Sequence, residues 1–237
     1  MTGPVVAGHQ PNFFPWFGYF EKMLLADVFV FSDDVQYTKQ NYVNRVEIPV
    51  GLESKPHYWT LEVLKGSDQR IADKLYLKDG KTFTKLLRTV QINLGGLPFF
   101  KDIAAILVDF EEAFWRFKTV ADLNIHMNTV IARRLGIETP TRRGTELGLD
   151  RWHATERLIK RLEALGADTY LSGGGASAYM DEGMFASRGF TLSIVSYRLG
   201  PELFGDKLKY SVLAGIGFLG CQQIATRIAE FRASQSA

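Results

Sequence analysis

The chain has 237 residues, of which 46% are hydrophobic and 23% charged, a composition typical of a globular protein that buries a sizeable core. Its 28 lysines and arginines against 26 aspartates and glutamates leave a formal net charge of +2, too balanced for a basic nucleic-acid-binding surface. Cys221 is the single cysteine of the sequence, which excludes an intrachain disulfide framework and a cysteine-based zinc site.

The first 65 residues predict a strand–helix–strand unit. Residues 5–7 form a short apolar strand, and apolar side chains at helical spacing predict a helix from Gly18 to Ala26. Val28–Phe31 is a continuous β-branched and aromatic run, typical of a strand buried on both faces. A right-handed parallel crossover is the usual connection between two such strands. Two more extended segments are predicted at residues 42–50 and 58–64.

The rest of the chain alternates helical and extended patterns. Helices are predicted at residues 82–91, 101–116, 119–135, 153–165, 178–185 and 212–232, and strands at residues 168–171 and 190–196. No linker or repeat interrupts the sequence, so we expect one domain over 1–237, with an N-terminal αβ unit (1–65), a helical segment (82–136) and a C-terminal αβ part (150–237). The predicted fold class is α/β, with a mixed, mostly parallel, Rossmann-like sheet covered by helices.

Polar side chains follow both strands of the predicted N-terminal unit. His9 and Gln10 leave the first strand, and Asp33, Asp34 and Gln36 leave the second. Because parallel strands end at the same edge of a sheet, where open α/β sheets bind ligands, we expect these residues to share a crevice. A histidine oriented by a carboxylate is the arrangement of a general base. The alternative is a histidine satisfied by backbone beside a solvated aspartate turn.

Further polar and aromatic side chains flank this unit. Arg45, presented from an extended segment, is a suitable clamp for a carboxylate or phosphate, while Asn44 and Tyr37 offer hydrogen bonds to a polar substrate. The alternative for this segment is an edge strand whose polar residues prevent aggregation. In the aromatic-rich turn at residues 12–17, Asn12 and Trp16 are candidate binding residues.

The string from His9 to Lys22, HQPNFFPWFGYFEK, resembles the opening of the WbqC-like proteins, whose signature is HQP, an aromatic, a proline and a glycine that opens a helix. The resemblance continues through residues 26–37 and returns at residues 170–173 with Tyr179. It implies an enzyme of bacterial surface-polysaccharide or natural-product biosynthesis that modifies an amino-sugar or amine intermediate by acyl or aminoacyl transfer. The chain departs from the family pattern at residues 201–215, which leaves substrate choice there open.

The N-terminal unit also looks like the first unit of nucleotidyltransferases that carry a His-x-Gly-His motif. The corresponding stretch here, Trp16-Phe17-Gly18-Tyr19, lacks both histidines. We therefore expect similarity of fold in this unit and no adenylyl transfer by that machinery, because a shared fold does not by itself carry a function.

Residues 172–177, Ser-Gly-Gly-Gly-Ala-Ser, connect a predicted strand to a short helix. Their contiguous glycines match neither a Walker A motif nor GxGxxG. The residues alone allow an anion-binding loop at a helix N-terminus or a flexible turn capped by Ser177. The family resemblance at Ser172 and Gly173 favours binding, and we place both in the substrate site together with Tyr179.

These observations lead to one main hypothesis. His9 deprotonates an amine or water and is oriented by Asp33 or Asp34. The anionic or polar part of the substrate is held by Arg45, Asn44 and Gln36, and the opposite wall of the site is formed by Ser172 and Gly173. The acyl donor is a carrier-protein thioester, coenzyme A or an aminoacyl-tRNA, the last being the one way in which we expect nucleic acid to take part. The alternatives are a non-catalytic ligand-binding or partner module of a biosynthetic complex, and a hydrolase that uses the same cleft.

Several expectations concern what the protein lacks. The four histidines have no metal-ligand spacing, so we expect no metal site, and we expect no tightly bound cofactor. Cys221 ends an apolar run without a neighbouring histidine, which favours a structural role.

The longest clean apolar stretch, residues 212–221, is half a membrane span, and no basic-then-apolar leader opens the sequence. The expected location is therefore cytoplasmic, and the oligomeric state is left open.

Overall fold

The computed structural model describes residues 3–50, 53–66, 69–175 and 180–235. Its strands are β1 (Val5–His9), β2 (Val28–Phe31), β3 (Arg45–Val50), β4 (Glu53–Thr60), β5 (Thr141–Arg143), β6 (Thr169–Ser172) and β7 (Thr191–Ile194). Its α-helices are α1 (Phe17–Leu24), α2 (Gly80–Leu94), α3 (Phe100–Arg116), α4 (Val120–Arg134), α5 (Ala154–Leu165), α6 (Glu182–Ser187), α7 (Leu199–Phe204), α8 (Val212–Leu219) and α9 (Cys221–Gln235).

Five of the strands form a parallel sheet in the order β5-β2-β1-β6-β7. Counted along the chain, this order is third, second, first, fourth and fifth, which is the order of a Rossmann-like doubly wound sheet. The predicted α/β class is therefore confirmed. The winding reverses between β1 and β6, so the crevice for a ligand is expected at the carboxyl ends of these two central strands.

The central strands are apolar on both faces because helices cover both sides of the sheet. Ala7 and Phe29 point into the larger core, and Val6 and Val30 point into a smaller core on the opposite face. This alternation follows from the two-residue period of a strand. The smaller core is completed by residues of α5, α6 and β6, namely Ile159, Leu162, Tyr170 and Phe185.

The predicted helical middle consists of α2, α3 and α4, which pack with the antiparallel pair β3–β4 against the larger core. β4 ends at Thr60, earlier along the chain than the sequence pattern predicts. An aromatic cluster fixes the turn after β1 to this layer, since Phe13 and Phe14 contact both Trp59 and Phe110. Phe14 has a φ of 43°, a strained value for a residue with a side chain, and this packing offsets the strain.

The single closing helix predicted over residues 212–232 is wrong. The chain breaks at Gly220, where α8 ends and α9 begins at an angle of 100°. Gly220 has a φ of 78°, and a Cβ there would lie 2.7 Å from the Phe99 ring, so both its conformation and its position require glycine. Among the described residues no single helix is long and apolar enough to cross a membrane, although this bent pair passes that test jointly.

Candidate functional site

A cleft of about 570 Å³ lies at the point where the sheet reverses its winding, at the carboxyl ends of β1 and β6. The structure brings together five of the predicted site residues in its walls: His9, Gln10, Trp16, Ser172 and Gly173. Its remaining described lining residues are Gly8, Lys22, Tyr170, Gly174, Gly175, Met180 and Tyr197. Aromatic walls with a few converging polar groups are typical of small-molecule sites.

His9 ends β1 and is partly exposed in this cleft. Its Nδ1 lies 3.2 Å from the Gln10 carbonyl oxygen, and because a carbonyl only accepts, Nδ1 carries the proton and Nε2 the lone pair. The ring packs on Tyr19, with 5.0 Å between centroids. Burial, and to a lesser extent the charge of Lys22, lower the pKa of His9 to about 3, so the imidazole is neutral at pH 7.

The lowered pKa of His9 predicts a pH dependence of stability. The unfolded chain binds a proton on this histidine near pH 6.5 and the folded chain does so only near pH 3, so stability falls as the pH drops between these values. From pH 6.5 to pH 5 we expect the wild type to lose up to about 2 kcal/mol more unfolding free energy than His9→Gln. Urea denaturation at both pH values measures the difference, and parallel losses in the two proteins would contradict the assignment.

Lys22 is the functional candidate that sequence reasoning missed. Its side chain comes from α1, is 3% exposed, and donates from Nζ to the Gly8 carbonyl oxygen at 2.8 Å. Burial, followed by the charge of Arg161, lowers the pKa of Lys22 to about 8. Among the described residues no carboxylate lies within ion-pair distance of it. A buried cation in a cleft wall without a carboxylate partner favours an anionic ligand.

The floor of the cleft explains why β1 carries a glycine before His9. A Cβ on Gly8 would overlap the Nη1 of Arg161 and come within 3.0 Å of the Tyr170 hydroxyl oxygen. Arg161 is 1% exposed and donates from Nη1 to the Ser32 hydroxyl oxygen at 3.0 Å. A second buried cation therefore passes beneath β1 and adds to the positive potential around Lys22.

The opposite wall is held by Glu21, the neighbour of Lys22. Its fully buried carboxylate accepts three backbone N–H bonds at the start of α7, from Arg198 at 2.6 Å, Leu199 at 2.9 Å and Gly200 at 2.8 Å. This attachment fixes the preceding residue, Tyr197, whose ring meets Trp16 at a centroid distance of 5.0 Å. Glu21 and Lys22 are the charged residues of the otherwise apolar helix α1, and they serve the cleft in different ways: Glu21 fixes one wall and Lys22 places a charge in it. An adjacent charged pair in an apolar helix is the sequence signal that could have identified both residues.

The predicted pairing of His9 with Asp33 or Asp34 is wrong. Asp33 accepts from Arg143 Nε at 2.7 Å, and from the Thr145 backbone N–H at 2.9 Å. β2 does end at the same edge as β1, but it lies on the side of β1 away from β6. The aspartates after β2 therefore turn towards β5 and α5 rather than towards the cleft.

Asp34 makes a separate ionic group with α5. Its carboxylate is 1% exposed and lies 3.4 Å from Arg157 Nη1 and 3.8 Å from Arg161 Nη2. Asp34 and Gln36 line another cleft, which also contains Arg70 and the N-terminal end of α5. Through Arg161, Asp34 supports the floor of the main cleft without lining it.

The other predicted binding residues are dispersed. Tyr37 donates to Asn44 Oδ1 at 3.0 Å, and both line a third cleft. Arg45 lies over the Tyr58 ring, 4.4 Å from its centroid. Asn12 is buried, and its backbone carbonyl accepts from the Asn128 side chain at 3.1 Å. Tyr179 lies outside the described residues.

Two further groups bear on the chemistry. Burial and the nearby charge of Asp102 raise the pKa of the Cys221 thiol to about 11, so this thiol stays protonated at neutral pH and is a poor nucleophile. Within the described parts of the chain, no set of three or more histidine, cysteine, aspartate or glutamate side chains is placed to hold a metal ion. Among the described lining residues of the main cleft the charged side chain is that of Lys22, and Arg161 is buried beneath the strand at Gly8.

Comparison with known proteins gives two matches. The model of the WbqC-like protein family matches residues 10–204. The uncharacterized protein Rv1507c of Mycobacterium tuberculosis (strain ATCC 25618 / H37Rv) is 31% identical over 183 residues, which cover 76% of this chain and 77% of that protein. No solved structure matches the chain.

Proposed function

The chain belongs to the WbqC-like protein family, and we propose that its main cleft is the active site of an acyl- or aminoacyltransferase acting on the amine of a small anionic acceptor. One observation carries the proposal: a neutral histidine and a buried lysine, which has no carboxylate partner among the described residues, line the same cleft at the reversal point of the sheet. An amino-sugar phosphate or an amino acid has both the amine and the negative charge that these side chains suit.

The electrostatics of the cleft couple binding to basicity. An anionic group beside Lys22 offsets the smaller of the two effects that lower the pKa of His9, the charge of Lys22, so the charge of the substrate raises the basicity of the imidazole. Gly173, Gly174 and Gly175 leave room for close approach of the ligand to backbone, since a Cβ on Gly174 or Gly175 would meet no atom of the described residues within 4 Å. A negatively charged substrate thus strengthens the base on which its own reaction depends.

The reaction forms a nitrogen–carbon bond between the acceptor amine and the acyl carbon. It breaks the carbon–sulfur bond of a thioester donor or the carbon–oxygen bond of an aminoacyl ester. His9 Nε2 accepts the proton from the attacking nitrogen and returns it to the departing thiolate or ribose oxygen, so the histidine is regenerated neutral. Proton transfer of this kind contributes on the order of 10²–10⁴ in rate.

Mass spectrometry of paired donors and acceptors tests this function. The purified chain is incubated with amino-sugar nucleotides or amino acids and, in separate arms, with acyl-coenzyme A, an acylated carrier protein or aminoacyl-tRNA. We expect one pair to give an acceptor in which an acyl group replaces a hydrogen, with loss of product in Lys22→Met. Donor cleavage without acceptor modification indicates a hydrolase, and no consumption of any donor indicates a binding module; either result contradicts the proposal.

A further inference from the structure

The third cleft, of about 450 Å³, lies between the segment after β2 and the segment after β4. We call it the basic cleft, because three lysines, Lys39, Lys65 and Lys74, line it and no acidic residue does so among its described lining residues. Its other described lining residues are Tyr37, Gln40, Asn44, Val63, Leu64 and Gly66. Its volume suits a small ligand.

Lys74 is unusual for a lysine because it is 2% exposed. Its Nζ donates to two neutral acceptors, the Gly66 carbonyl oxygen at 3.1 Å and Gln69 Oε1 at 3.4 Å, and lies 5.1 Å from the centroid of the Tyr37 ring. In the described part of the chain it forms no ion pair within 4 Å. Burial and the charge of Lys39 lower its pKa, so the protein holds this cation at a free-energy cost that a bound anion would remove.

We propose that the basic cleft binds the diphosphate group of a nucleotide-like ligand. Three lysines that line one cleft match a diphosphate, which carries several charges, better than they match a single carboxylate. Lysine is a common phosphate ligand because its ammonium acts as a point charge with three donors. The inference goes beyond the proposed transfer reaction, because it concerns a second cavity and is tested by binding without turnover.

A hydrogen bond connects the basic cleft to the main cleft. Gln40 and Asn44 line the basic cleft, and between them Asn41 donates from Nδ2 to Gln10 Oε1 at 3.0 Å. Gln10 itself lines the main cleft beside His9. A diphosphate held by the lysines therefore contacts the segment that also positions one wall of the reaction cleft.

Calorimetric titration of the full chain with inorganic pyrophosphate at fixed ionic strength tests the proposal. We expect the wild type to bind pyrophosphate and the double variant Lys39→Gln/Lys65→Gln to bind it at least about tenfold more weakly. Both lysines are exposed, so this variant keeps its fold. Adding Lys74→Met to the double variant is expected to weaken its binding of pyrophosphate further. UDP and coenzyme A, which both contain a diphosphate, should compete, and the one effective at lower concentration identifies the source of the diphosphate.

The matched control is Lys101→Gln/Lys209→Gln, which removes the same charge from two exposed lysines outside the basic cleft. It should bind pyrophosphate like the wild type. Three results would overturn the proposal: absence of binding to the wild type, equal weakening in the control, or loss of binding in Lys22→Met while the Lys39/Lys65 variant binds normally. The last result would assign the diphosphate to the main cleft instead.

Discussion

Replacing His9 by alanine is expected to reduce turnover of the donor–acceptor pair at least about 100-fold, because the variant loses the group that accepts the amine proton. The fold should survive, since the ring is partly exposed and, among the described residues, its hydrogen bond is to the neighbouring Gln10 carbonyl. We therefore expect a thermal midpoint close to that of the wild type. Initial rates and thermal melts of the same preparations measure both quantities.

His57→Ala is the matched control for this experiment. His57 is an exposed histidine on β4 and lies outside the three clefts that contain predicted site residues. Its replacement should leave both turnover and the thermal midpoint unchanged, because exposed substitutions away from special features have small effects. A His9→Ala protein that retains its rate, or that loses activity only because it unfolds, would refute the proton-acceptor role.

Replacing Glu21 by alanine is expected to cost about 3–5 kcal/mol of unfolding free energy, because it leaves three backbone N–H groups at the start of α7 without their acceptor. The same change releases the segment that holds the Tyr197 ring against Trp16 in the cleft wall. The KM of the folded protein for the acceptor should therefore rise. Urea denaturation followed by circular dichroism gives the free energy.

Two comparisons separate the destabilisation by Glu21→Ala from the effect of merely removing a negative charge. Glu21→Gln keeps one side-chain acceptor oxygen and should be less destabilised than Glu21→Ala. Glu112→Ala removes an exposed carboxylate from α3 and should change stability by less than about 0.5 kcal/mol. If Glu21→Ala were as stable as Glu112→Ala, the carboxylate would not be what joins α1 to α7.

Much of the fold could be predicted from the sequence because its signals are local. The apolar run of β2, the helical spacing of α1 and the glycines after helices are each contained within a few residues. The rule that ligands bind at the carboxyl ends of parallel strands placed His9 and Gln10 at the edge where the main cleft lies, whereas Ser172 and Gly173, which line the same cleft, were placed in the site by the family resemblance.

The remaining features depend on contacts distant in sequence. The cleft lies between β1 and β6 because of the strand order of the sheet, which no local sequence pattern encodes. The aspartates after β2 therefore lie on the other side of β1, and the expected pairing of His9 with Asp33 or Asp34 is wrong for this reason. Lys22 stands at a polar position of a helix pattern, and its burial follows only from the packing around α1. The helix breaks at Gly220, whose positive φ is a backbone conformation that glycine adopts readily, and Phe99, far away in the chain, leaves no room there for a side chain.

The position of the bound acceptor tests the central claim most directly. A crystal structure of the protein with the acceptor identified by mass spectrometry should place the reacting nitrogen within hydrogen-bonding distance of His9 Nε2. The anionic part of the acceptor should face Lys22 and Gly173. An acceptor bound instead in the cleft of Asp34 and Arg157, with the main cleft empty, would contradict the account.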